Sequence, residues 1–156
     1  MVVPYTAGGG ADVVMRAVAQ RLAEAWGKNV VIDNRAGASG MIGTELVTKS
    51  TPDGYTLLGH TSSYPATAAI REKLPFDPAR AIVPVAAVAK TPLVLVVHPS
   101  VPAKSVKELV ALAKQHPGKL NYSSAGTGGN NHFAASLFAT AAGINLVHVP
   151  YKGVAE

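Results

Sequence analysis

The feature that most constrains this chain is a glycine-rich loop that twice stands between an extended apolar segment and an amphipathic one. Val2-Val3 passes through Pro4 into Ala7-Gly8-Gly9-Gly10, after which Val14, Val18, Leu22 and Trp26 recur every four residues. Leu120 to Ser123 leads into Gly126-Thr127-Gly128-Gly129, after which Phe133, Leu137 and Phe138 mark a second such face. The four-residue recurrence is one stripe of an α-helix, and short apolar runs bounded by turn residues are strands. Strand, glycine loop, helix and strand in that order predict an α/β chain with largely parallel sheet, since a helix must carry the chain back before a parallel neighbour can start.

The rest of the chain repeats the design. Gly27 stands where a helix C-cap belongs, and Asn29 to Asp33 reads as a buried strand. Gly37-Ala38-Ser39-Gly40 opens a helix from Met41 to about Lys49, and a strand follows at Tyr55 to Gly59. Thr61-Ser62-Ser63 precedes a short helical stretch ending near Leu74. Ile82 to Val97 is apolar and β-rich, split at Thr91-Pro92 into two expected strands. Ser105-Val106-Lys107-Glu108 matches a capping box opening a helix that stops before Pro117-Gly118, and Ile144 to Val149 is the last strand. The stripe at Val14, Val18, Leu22 and Trp26 is expected in the core. A passage near residues 97–104 divides a first lobe, 1–98, from a partial second lobe, 99–156.

Of the 156 residues, 48% are hydrophobic and 15% charged, enough for a packed core and unlike a disordered chain. No apolar run approaches the roughly 20 residues that span a bilayer. Cysteine is absent, which excludes disulfides and thiolate chemistry. The formal charge is +5, yet the 14 basic residues are scattered and aromatics are only 6%, so nucleic acid is not an expected partner. Met1 to Pro4 lacks the features of a signal peptide, and both ends read as cuts through a larger protein.

Glycine lets backbone approach a ligand with no Cβ in the way, and a helix start offers unpaired amides with partial positive charge. A small oxyanion fits such a place. Phosphate-loop and dinucleotide signatures fail: neither loop ends in Gly-Lys-Ser/Thr, and Val13 stands where a third glycine is required. The five histidines (His60, His98, His116, His132, His148) show no i, i+4 pairing, so neither a metal nor a cofactor is expected. No Gly-x-Ser-x-Gly elbow makes Ser39 or Ser124 a nucleophile. From residues alone, three readings stay open: an anion-binding receptor, a small α/β enzyme on an anionic substrate using Asp12 or His132 as acid–base group, and a sensor or interaction fragment.

Several ordered segments then carry a resemblance. They are Val3 to Asp12, Asp33 to Gly40, Pro52 to Leu58, Leu74-Pro75-Phe76-Asp77-Pro78, His98 to Pro102, Pro117 to Tyr122, and His148-Val149-Pro150-Tyr151-Lys152-Gly153. Together they closely resemble the substrate-binding receptors of tripartite tricarboxylate transporters, the Bug-type receptors. The resemblance implies a periplasmic-binding-protein type II-like fold, two-lobed, with flanking helices and an incomplete second lobe. It implies a non-catalytic periplasmic receptor that captures a mono- or dicarboxylate and passes it to a membrane permease. In that reading Tyr5, Ala7, Gly8, Gly9, Gly10 and Asp12 hold one end of the ligand from the first lobe. Ala38, Ser39, Thr61, Ser62 and Ser63 line the cleft. Ser124, Gly126, Thr127, Gly128, Gly129, Asn130, Asn131 and His132 grip the nearer carboxylate. Ala36 and Ser39 depart from the usual proline and glycine, and Asn130-Asn131 from the usual hydroxyls. An incomplete sheet exposes apolar edges, so pairing with a second copy by strand exchange is also expected.

Overall fold

The computed structural model describes residues 1–151. Lys152 and Gly153 of the last motif, and the end of the expected second lobe, lie outside the described residues. Within that range the chain is α/β, with every strand pairing parallel. The first glycine loop joins β1 (Val2–Val3) to α1 (Gly10–Trp26), which returns to β2 (Asp33–Asn34). β1 is the middle of this layer. It pairs with β2 at Val2↔Asp33 and Val3↔Asn34, and on its other edge bridges Leu58 through Val2. Backbone bonds on both edges explain why so short a strand is enclosed, with Val3 wholly buried.

A 3₁₀ turn at Ala38–Gly40 leads into α2 (Met41–Thr48), which lies across β1. Gly43 makes that approach possible, because a Cβ there would stand 2.7 Å from Pro4 Cβ and 3.0 Å from the Arg35 carbonyl. Further on come α3 (Tyr64–Ala69) and α4 (Val106–Gln115). α4 opens on Ser105, whose hydroxyl accepts from the Glu108 amide at 3.2 Å. Glu108 reaches back 2.8 Å to the Lys104 amide, one residue before the position a strict capping box would use. The second glycine loop joins β3 (Asn121–Ser124) to α5 (Asn130–Ala142), which returns to β4 (Val147–Pro150), with Asn121↔Val147 through Ser124↔Pro150 in register. Gly27 and Gly143 close α1 and α5 in left-handed conformation.

Three expectations need correction. Asn29 to Ile32 and most of Tyr55 to Gly59 form no ladder: only Asp33–Asn34 and the single Leu58 bridge pair with β1, which is itself two residues long. Ile82 to Val97 contains no strand among the described residues, and from Val83 onward every residue is exposed. Its β-rich composition describes a side-chain preference, whereas a strand exists only where another backbone accepts its bonds. The stripe Val14, Val18, Leu22 and Trp26 is not the core face of α1. Those valines and Leu22 are half-buried and Trp26 is 57% exposed, while Asp12, Met15 and Ala19 are enclosed. The helix is turned so that Met15 packs on Gly59, where a Cβ would meet its side chain at 2.6 Å.

Candidate functional site

Both glycine loops leave the carboxyl ends of parallel strands and end at a helix start, the position where ligands gather in open α/β sheets. Apart from Gly10, at the first helix start, their glycines shape the loops rather than offering their own amides. Gly8 donates to Asp12 Oδ2 at 2.8 Å and Gly9 to the Thr6 carbonyl at 3.2 Å. In the second loop Gly126 donates to Ser124 Oγ, Gly128 to His132 Nδ1, and Gly129 to the Gly126 carbonyl. Gly8, Gly126 and Gly128 hold positive φ, where a Cβ is strained. The first helical bonds are Val13 to Gly9 and Phe133 to Gly129. The amides of Gly10, Ala11 and Asp12, and of Asn130, Asn131 and His132, therefore have no partner among the described residues.

Asp12 fixes the first loop. Its buried carboxylate accepts from Gly8, from Arg16 Nε at 2.8 Å and from Asn34 Nδ2 at 2.8 Å. The Arg16 hydrogen bond is the main cause that holds its carboxyl down at about 2, against the opposing pull of burial. A permanently ionised group with its acceptors filled is unsuited to proton transfer at neutral pH.

Tyr5 connects this loop to the serine-rich one. Its hydroxyl lies 2.7 Å from Thr61 Oγ1, 3.2 Å from His60 Nδ1 and 3.4 Å from Ser63 Oγ. His60 Nδ1 lies 2.9 Å from the Thr61 amide and 3.0 Å from the Thr61 carbonyl, and Nε2 is buried without a partner among the described residues. Burial lowers the His60 pKa, partly offset by the bond between its Nδ1 and the Thr61 carbonyl. Ser62 is exposed and makes no hydrogen bond among the described residues, and Ala7 is exposed at the loop tip.

The two halves of the expected site meet. Ser39 Oγ donates to the Thr127 carbonyl, and the fully buried Thr67 Oγ1 donates to the Gly128 carbonyl. A Cβ on Gly126 would stand 3.2 Å from Ser39 Oγ, and one on Gly128 would stand 2.9 Å from Ile70 Cδ1. Ala38 and Ser39 both adopt left-handed φ, at 48° and 55°, a conformation costing on the order of 1 kcal/mol or more per non-glycine residue. A continuous polar path thus runs from Tyr5 through Ser63 and Thr67 to Gly128.

Behind the second loop, Ser124 Oγ lies 2.6 Å from His148 Nε2, and the His132 and His148 rings are 4.3 Å apart. Burial, then the neighbouring His132, lower the His148 pKa. Tyr122 stacks on His148 at 4.9 Å. No group of three or more metal-ligating side chains forms among the described residues. Sequence reasoning missed His60, Thr67 and His148. Each acts through a partner far away in the chain, and a local pattern carries no sign of it.

Residues 14–156 match the model of the tripartite tricarboxylate transporter family receptor. The chain is similar to the protein BugT of Bordetella pertussis, with 38% identity over 155 residues, covering 98% of this chain and 48% of that protein. Among solved structures it is similar to R. palustris Rpa4515 with adipate, at TM-score 0.93 and 39% identity, covering 99% of this chain and 52% of the other. It is also similar to MatC (Rpa3494) from Rhodopseudomonas palustris with bound malate, at TM-score 0.87 and 30% identity, with 97% and 52% covered. The chain spans about half the length of these relatives.

Proposed function

The chain belongs to the tripartite tricarboxylate transporter receptor family, and on that premise we propose that it captures a small dicarboxylate between its two helix-opening loops, without chemistry. The observation that carries this reading is the pair of helix starts, Gly10–Asp12 and Asn130–His132, whose unpartnered amides are fit to receive carboxylate oxygens. The Ser39 and Thr67 bonds to the second loop support a site that draws on both parts of the chain, residues 1–98 and 99–151. Asp12 and His132, the acid–base candidates of an enzymatic reading, already hold the backbone amides of Gly8 and Gly128.

In this reading the protein works in the periplasm and hands its ligand to a membrane permease of the tripartite type. The adipate and malate of the two solved relatives make dicarboxylates the first ligands to try. Isothermal titration with adipate and malate should give saturable binding, with no product after prolonged incubation. Absence of binding by either acid, or turnover of one, would overturn the proposal. The exposed apolar stretch from Leu93 to Val97 supports pairing with a second copy by strand exchange. A monomer by light scattering well above micromolar concentration would refute that part alone.

A further inference from the structure

Arg71 stands just beyond α3, the helix whose Thr67 holds the Gly128 carbonyl and whose C-cap, Ile70, packs against Gly128. Its guanidinium turns to the other half of the site, where Nη2 donates to the Ala38 carbonyl at 2.8 Å. Ala38 adjoins Ser39, which itself donates to Thr127. One arginine therefore sits where the Ala38–Ser39 turn and the second glycine loop meet.

This guanidinium is poorly matched by what surrounds it. Its Nε is buried with no hydrogen-bond partner, one of only two such side-chain atoms among the described residues. Among those residues no carboxylate lies within salt-bridge distance: the five ion pairs engage Arg16, Arg21, Arg35, Lys49 and Arg80. An orphaned buried donor on a charged group is costly. A single neutral carbonyl satisfies one donor of a fork built for two parallel bonds, whereas a carboxylate satisfies the Nε and Nη2 edge together.

We infer that Arg71 is a carboxylate anchor of this site, the Ala38 carbonyl holding its fork until a ligand carboxylate takes both Nε and Nη2. The inference rests on the proposed receptor function and adds to it a source of charge selectivity: a second carboxylate on the ligand is met by a fixed cation rather than by amides alone.

The test compares adipate with hexanoate, equal in length and differing by one carboxylate. Wild-type protein should prefer adipate. Because bonds to charged groups contribute about 1.5–3 kcal/mol, Arg71→Gln should weaken adipate by roughly ten- to a hundredfold and bring the preference near unity. Hexanoate affinity should stay within about twofold, and Arg71→Lys, which keeps the charge and loses the fork, should fall between. Equal loss for both acids would assign Arg71 to holding the Ala38 turn, and no loss would remove it from the site; either overturns the inference. If wild-type protein binds neither acid, the receptor reading itself fails. Should Arg71→Gln not fold, phenylglyoxal labelling of wild-type protein decides: adipate should protect Arg71 and hexanoate should not, and labelling unaffected by adipate would refute the assignment.

Discussion

Replacing Asp12 by asparagine tests whether the first loop is held by charge. The carboxylate receives three donors: the Gly8 amide and Arg16 Nε on Oδ2, and Asn34 Nδ2 on Oδ1. A carboxamide has one acceptor oxygen, so Asp12→Asn sets an NH₂ against a donor in either orientation. Asn34 cannot turn to help, because its Nδ2 also donates to the Tyr5 carbonyl and its Oδ1 accepts from Arg16 Nη2. A carboxyl held at about 2 against an ordinary 3.8 corresponds to roughly 2 kcal/mol at neutral pH, and the opposed donors bring the expected loss to about 2–4 kcal/mol. The folded-state value lies below the unfolded one, so the contribution is complete above about pH 4. It is lost as the pH falls through 4 toward 2. Urea unfolding of both proteins from pH 7 to pH 2.5 reads this directly. The gap should be largest at neutral pH and narrow in acid. A neutral-pH difference under about 0.5 kcal/mol, or one that does not change with pH, would refute the account of Asp12 as the loop's charged clasp.

Three further outcomes are expected. Gly43→Ala, which would add about 1 kcal/mol of stability at an open helical site, should instead cost about 1–3 kcal/mol, because its methyl overlaps Pro4 and the Arg35 carbonyl; a raised melting temperature would disprove the close approach of α2. Ser39→Ala keeps the left-handed backbone cost and loses the Thr127 bond, so adipate affinity should drop about threefold to tenfold, while Ser39→Gly should regain melting temperature without regaining affinity. The His60 ring should titrate below 6.5 in NMR, and its contribution to stability, present above that value, should diminish as the pH falls below it; a titration at or above 6.5 would contradict its burial.

Most helices were readable in the sequence because they carry their own signals: Gly27 as a left-handed stop, Ser105 as a cap, a glycine loop before each of the two longest; α3 carries none of these and stops at Ala69, short of the expected end near Leu74. The strands were less so. An apolar run such as Leu93 to Val97 announces that it avoids water but not whether a partner backbone lies within the chain. The face of α1 was misassigned for a related reason. Apolar spacing marks a stripe, yet Asp12 is buried because its charge is answered by Arg16 and Asn34, a pairing no hydrophobic pattern reveals. The loops of the candidate site were legible through their glycines. The side chains that join them were not, since Thr67 meets Gly128 across 61 residues and Ser39 meets Thr127 across 88.

For the proposed receptor, the internal bonding of the two loops bears on the speed of recognition. Gly8, Gly9, Gly126, Gly128 and Gly129 have already given their hydrogen bonds to residues of the same loop or of the strand and helix that flank it. Such a loop has little freedom left to surrender when a solute arrives. Solutes of the same charge should then be collected at nearly equal rates, whatever their fit. Selection among them falls to residence time, with a poor match leaving early and a good one staying.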